Sequence, residues 1–230
     1  MHSLIVVPAR GGSKGIPKKN IYPLNGKPLL EYTLEAFLKA GVEGALAVST
    51  DSDEIAQVAR KYKDVIVIKR PDELSTDTAS TETALLHALE VMERENHETF
   101  DAVITAQPTS PLRKPETIRR FVSEFEEQGR DFDSQLTFTE TKSDMWVKDS
   151  DGRFVRLFPN APRRRQERES LYVENSMLYI TRVQTLKESG SVLGNRVRGF
   201  LIDDVEGLDI NEWQDLALAE HYLINTQRKL

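Results

Sequence analysis

Leu4-Ile5-Val6-Val7-Pro8-Ala9-Arg10-Gly11-Gly12-Ser13-Lys14-Gly15-Ile16-Pro17-Lys18-Lys19-Asn20 decides the reading of this chain. A short apolar, β-branched run gives way to a loop rich in glycine and cations. The run reads as a buried strand. Three glycines in the loop let backbone N–H groups approach an anion closely, and Arg10, Lys14, Lys18 and Lys19 supply positive charge. That combination suits polyphosphate. The Walker A spacing is absent and Gly-x-Gly-x-x-Gly is not met, so neither common phosphate fingerprint applies. The ordinary alternative is a basic, solvated surface loop.

Outward from this stretch, strand and helix patterns alternate. The spacing predicts helices over 28–40, 53–62, 81–92 and 115–125, with strands over 45–49, 65–68 and 102–106 between them. Runs buried on both faces, separated by amphipathic helices, predict a mainly parallel sheet with helices on either side, a Rossmann-like three-layer α/β sandwich. Right-handed crossovers would then bring the loops that follow the strands to one edge. Beyond residue 130 the rhythm becomes β-rich. Strands are expected over 135–139, 176–181 and 199–202, and a helix over 212–223. Met145-Trp146-Val147 and Phe154-Val155 flank Asp149-Ser150-Asp151-Gly152, a hairpin signal. The expectation is one domain over residues 1–230 carrying a β-rich insertion near 140–172.

Composition narrows the function classes. Lys and Arg total 31 against 37 Asp and Glu, a net charge of −6, which disfavours a broad nucleic-acid or anionic-lipid surface. Any bound anion therefore needs a local cation cluster. There is no cysteine, which removes disulfides, thiolate metal sites and cysteine nucleophiles. The four histidines show no zinc-ligand spacing. The first apolar run is too short for a signal core or a membrane span, so a cytoplasmic, soluble protein is expected.

Four motifs in order resemble the CMP-sialic acid synthetase (acylneuraminate cytidylyltransferase) family. They are Ala9 to Asn20; Ser49-Thr50-Asp51; Arg70-Pro71 with Asp77-Thr78-Ala79-Ser80; and Gln107-Pro108-Thr109-Ser110-Pro111-Leu112-Arg113. The family in turn resembles the wider nucleotide-sugar nucleotidyltransferases. The resemblance implies transfer of CMP from CTP to the anomeric hydroxyl of a sialic-type sugar acid, with Mg²⁺ as cofactor, in a homodimer whose insertion covers the neighbouring site. It places the triphosphate on Arg10, Ser13, Lys14 and Lys19, and cytosine and ribose on Asn20, Arg70, Ala79 and Thr81. Gln107, Arg165, Gln166 and Asn175 would meet the sugar acid; Asp209 and Asn211 would hold the metal. Arg10, Lys14, Lys19 and Asp209 are then the catalytic electrostatic groups.

Simpler roles stand beside these. Arg70 could form a surface ion pair, Thr81 or Asn211 could cap a helix, Thr109 or Ser110 could cap the helix after their loop, and Arg163 to Arg168 could be an exposed loop. The chain also departs from the family pattern. Asn211 stands where a second Asp is usual, Val173 where some sialic-acid enzymes carry arginine, and Ser176 where glycine is usual. Three alternatives stay open: the same reaction on another acid (3-deoxy-octulosonate, legionaminic or pseudaminic acid, a phosphonate), a non-catalytic nucleotide-binding homologue, or another sugar-phosphate nucleotidyltransferase that would prefer UTP or GTP.

Overall fold

The computed structural model describes residues 1–95, 97–128 and 131–227. In chain order the strands are β1 (Ser3–Pro8), β2 (Pro23–Leu24), β3 (Lys27–Pro28), β4 (Gly44–Thr50), β5 (Val65–Lys69), β6 (Ala102–Ala106), β7 (Ser134–Thr141), β8 (Trp146–Lys148), β9 (Phe154–Arg156), β10 (Leu171–Arg182) and β11 (Val197–Leu201). The helices are α1 (Leu29–Ala40), α2 (Asp53–Ala59), α3 (Thr81–Glu95), α4 (Pro115–Gln128), α5 (Val183–Ser189) and α6 (Trp213–Gln227).

Seven strands form one sheet in the order β11-β7-β10-β6-β1-β4-β5. Only β10 runs against the others; it pairs antiparallel with β6 and β7. Alternation along β1 shows why both faces need cover. Ile5 and Val7 pack with Leu30 and Leu34 of α1 and with Phe121 and Phe125 of α4. Leu4 and Val6 face Leu85, Leu89 and Met92 of α3 and Leu186 of α5. The three-layer α/β expectation holds. A third cluster joins Ile16 of the glycine-rich loop to Leu24, Leu29, and Ile210, Leu216 and Ala219 at the chain's other end. The first loop and the last helix are therefore one packed unit.

Local chemistry sets several ends. Ser52 Oγ accepts from Ile55 N–H and starts α2. Gly41, at φ 64°, stops α1 while its N–H bonds to the Phe37 carbonyl. The 53–62 helix expectation is shortened to Asp53–Ala59, because Arg60 to Tyr62 tighten into turns ahead of β5. Two elements went unforeseen: the β2–β3 hairpin, turned at Asn25-Gly26, and α5. The foreseen hairpin is present as β8–β9, a separate two-stranded sheet. β10 is longer than expected because its outer half pairs with the end of β7, across a register shift between Glu174 and Tyr179.

β1 lies where strand order changes direction, with β4 and β5 to one side and β6 to the other. The loops leaving β1 and β6 diverge there and open a crevice at the strand C-termini, the place where open α/β sheets take ligands.

Candidate functional site

A cavity of about 340 Å³ fills that crevice. Arg10, Ser13, Lys14, Lys19 and Asn20 reach it from the first loop, Arg70 from the end of β5, and Ala79 and Thr81 from the start of α3. Gln107, after β6, and Asn211, before α6, complete the wall. Folding thus gathers, from three chain segments, all the residues expected at the nucleotide, and adds Gln107 and Asn211 from two more. Asp209 sits behind the wall beside Asn211. Asn175, Arg165 and Gln166 do not line this cavity.

Fixed contacts hold the loop open. Asp51, after β4, accepts the Gly11 N–H at 2.8 Å. Asn20 is buried, and its amide donates to the Arg10 carbonyl at 2.9 Å, tying the loop's two ends together. Gly15 is required by proximity: a Cβ there would lie 2.4 Å from the Asn211 carbonyl oxygen. Lys19 Nζ donates to the Ile210 carbonyl at 2.7 Å. Burial lowers the Lys19 pKa; Asp209 and Asp215 pull it back up, and Arg10 adds to the lowering.

Arg70 makes no surface ion pair. It is buried, with Nη2 2.6 Å from the Ser49 carbonyl and Nε 3.1 Å from Ser49 Oγ. Burial lowers its pKa, with Asp51 opposing that shift. The cap of α3 is Ser80, whose Oγ accepts from Thr83 N–H, so Thr81 is the first helical residue and lines the cavity. Neither Thr109 nor Ser110 caps α4, which begins only at Pro115.

Among the described residues the Asn211 side chain caps nothing. The Asp215 carboxylate accepts the backbone N–H groups of Asn211 and Glu212, while Asn211 Nδ2 donates to Asp209 Oδ2 at 2.8 Å. Asp209 Oδ1 is buried and has no partner within the protein. That orphaned oxygen, beside the Asn211 amide and behind the cavity wall, is a hard carboxylate donor of the kind a Mg²⁺ ion takes. Such an ion takes one or two protein oxygens and completes its shell with phosphate and water. Among the described residues no three His, Asp or Glu side chains cluster as a complete metal cage.

Arg113 closes the Gln107 motif, and nothing in the sequence gives it a role. Its guanidinium is buried and donates to the carbonyls of Gln107 and Met177 at 2.8 Å each, and to Thr33 Oγ1 at 3.3 Å. It fixes the Gln107 loop against β10. An apolar setting is a poor sequence signal for a buried arginine, which is why its function was hidden.

A second cavity, of about 280 Å³, shares Thr81 and Gln107 with the first and adds Glu82, Glu174, Ser176 and Tyr179. Tyr179 donates its one proton to Glu174 and lies 3.1 Å from Ser176 Oγ, so the Ser176 hydroxyl is the donor there. Ser176, where the family pattern has glycine, holds φ 60°. Asn175 braces this bulge from behind: its Oδ1 accepts from Thr137 Oγ1 and from Met177 N–H.

The arm spanning β8 and β9 stands apart. Arg165 and Gln166 form an exposed turn on it. Asp144 gathers Arg156, Arg163 and Arg168 there, and those guanidinium groups hold its carboxyl below the usual range. Trp146, Phe154, Leu157, Phe158 and Tyr172 are all exposed.

The cytidylyltransferase family model matches residues 4–202. The chain belongs to that family. A CMP-N,N'-diacetyllegionaminic acid synthase of Legionella pneumophila is 34% identical over 100% of both chains. An N-acylneuraminate cytidylyltransferase of Escherichia coli is 28% identical over 94% of this chain and 51% of its own length. The structure of a CMP:2-keto-3-deoxy-manno-octonic acid synthetase complexed with CTP superposes with a TM-score of 0.68 at 17% identity, over 98% of this chain and 100% of that one. A 4-diphosphocytidyl-2C-methyl-D-erythritol synthase from Anaerococcus prevotii superposes at 0.69 and 13% identity, over 96% of each chain. These likenesses support the fold of this cytidylyltransferase. No helix among the described residues is long and apolar enough to cross a membrane.

Proposed function

We propose that this cytidylyltransferase transfers CMP from CTP to the anomeric hydroxyl of a nonulosonic acid and releases pyrophosphate. The observation that carries the reading is the convergence of Arg10, Lys14, Lys19, Arg70 and Gln107 on one cavity at the sheet's switch point. The acceptor oxygen attacks the α-phosphorus as the bond to pyrophosphate breaks. Such a transfer needs in-line positioning and charge stabilisation more than covalent help. Arg10, Lys14 and Lys19 offset the charge that builds on the leaving pyrophosphate. Asp209, with the Asn211 amide oxygen, would hold magnesium, which when bound polarises phosphate oxygens.

The second cavity is our choice for the body of the acceptor, with Gln107 between the two substrates. Among the described residues Glu82 and Glu174 are its only charged lining groups, so the acid's own carboxylate must turn elsewhere. A homodimer answers this. The exposed apolar residues of the arm need cover, and a second copy would bring Arg165 and Gln166 to the acceptor side. Identity along the whole chain to a diacetyllegionaminic acid synthase favours a legionaminic-type acid over neuraminic acid. We place the enzyme in the cytoplasm.

Pure protein incubated with CTP, magnesium and a panel of nonulosonic acids tests the reaction by product mass and pyrophosphate yield. A CMP adduct is expected with at least one acid, strongest with a legionaminic type. CTP binding without any adduct refutes the transfer. Sedimentation tests the dimer; Phe154→Asp in the arm should give monomers.

A further inference from the structure

The loop that follows β5 lines the nucleotide cavity with Leu74, Thr76 and Ala79, and Asp77 stands on it. Its two carboxylate oxygens each take one cation from the glycine-rich loop. Arg10 Nη1 is 2.6 Å from Oδ1, and Lys14 Nζ is 3.2 Å from Oδ2. These hydrogen bonds hold the Asp77 carboxyl below the usual range, so it stays an anion. Both cations line the cavity, and both belong to the group assigned above to the phosphates.

An ordinary surface ion pair joins neighbours, as Glu90 with Arg94 does within α3. Asp77 instead joins two loops that both line one ligand cavity. A carboxylate offers a guanidinium and an ammonium what a phosphate offers: oxygens sharing negative charge, in hydrogen-bonding reach. The turn that presents it is locally stable without that bridge. The Ala79 N–H donates to the carbonyl and Oγ1 of Thr76, and Ser75 Oγ donates to the Pro71 carbonyl. The bridge can therefore open without unravelling the loop.

We infer that Asp77 is a resident phosphate surrogate: it occupies Arg10 and Lys14 in the nucleotide-free enzyme, yields them to the triphosphate, and takes them back as pyrophosphate leaves. The inference rests on the reading that Arg10 and Lys14 hold the nucleotide's phosphates. Asp77 acts through those two cations and touches no reacting atom, so it is a positioning residue. A ligand with one phosphate must displace a carboxylate already bound at two points. A triphosphate can replace both contacts at once. The arrangement thus favours CTP over CMP or inorganic phosphate and hastens release of pyrophosphate.

Calorimetric titration of the wild type, Asp77→Asn and Asp77→Glu with CTP, CMP and pyrophosphate, magnesium present, tests this alongside kcat and KM. Asparagine keeps the shape and removes the charge. For Asp77→Asn, CTP and pyrophosphate should bind about three- to tenfold more tightly, the scale of two exposed ion pairs. KM for CTP should fall, kcat should fall with it as pyrophosphate lingers, and CMP should gain relative to CTP. Asp77→Glu should restore wild-type discrimination. Equal or weaker binding of CTP by Asp77→Asn, with a normal melting curve, overturns the surrogate while leaving the nucleotide site standing. A wild type that gives no heat with CTP overturns the site assignment and the surrogate together.

Discussion

Replacing Gly15 with alanine should disable the enzyme while leaving most of its fold. The added Cβ would sit 2.4 Å from the Asn211 carbonyl oxygen, whereas real Cβ atoms essentially never come within 3.0 Å of such an atom. Both partners are backbone, so no side chain can swing aside. The glycine-rich loop and the 209–211 segment must separate by about 0.6–1 Å, within the range where misplacing catalytic groups costs roughly 10²-fold in rate. Overpacking of this kind costs about 1–3 kcal/mol of stability. The displacement would act on one unit, since Lys19 Nζ bonds to the Ile210 carbonyl and Ile16 packs on Ile210. Pyrophosphate release should show kcat/KM for CTP lowered by about two orders of magnitude. Urea unfolding should show a native-like protein with a modestly reduced midpoint. Activity within twofold of wild type, at unchanged stability, would refute the claim that contact between these segments sets the site's geometry.

Lys19→Ala should cost about 10- to 100-fold in kcat/KM for CTP, the value of one charge-assisted phosphate contact. Because burial lowers the Lys19 pKa, the charged form is lost as pH rises through that depressed value. The alkaline limb of kcat/KM should therefore fall below an ordinary lysine's range, and Lys19→Arg should move it upward; identical limbs in the two proteins would count against Lys19 as the titrating group. Asn211→Asp replaces the 2.8 Å amide–carboxylate bond to Asp209 with two like charges. The melting temperature without metal should drop and the magnesium-induced rise should grow; a drop that magnesium leaves untouched would argue against a metal there. Arg113→Met should destabilise the protein by about 2–4 kcal/mol by stranding the buried Met177 carbonyl and the part-buried Gln107 carbonyl. Its KM for the sugar acid should rise more than its KM for CTP, and an unaltered acceptor KM would separate Arg113 from the Gln107 loop.

The parts of the site legible in the sequence were those whose chemistry sits in contiguous loops. Arg10, Lys14 and Lys19 announce themselves by charge and glycine spacing, and the strand before them fixes which edge of the sheet they reach. Partners distant in sequence were not legible. Nothing in the segment around Asp77 says that its carboxylate meets Arg10 and Lys14, and nothing around Asp215 says that it, not Asn211, takes the backbone N–H groups ahead of α6. β10 illustrates the same limit in the fold. Its inner half reads as a strand, but its outer half, Leu171 to Glu174, is half-exposed and gains its ladder only from the end of β7.

Local pattern alone determined the α/β class, and it placed a glycine-rich, cationic loop directly after the first strand. Alternation, glycine spacing and charge are properties of neighbouring residues, and they act wherever the chain goes. Tertiary structure decided which segments touch. It put Arg113 under Gln107, Gly15 against Asn211, and the one reversed strand between β6 and β7. Those outcomes depend on the packing of elements tens of residues apart, where many pairings bury similar apolar area and only the assembled core selects among them.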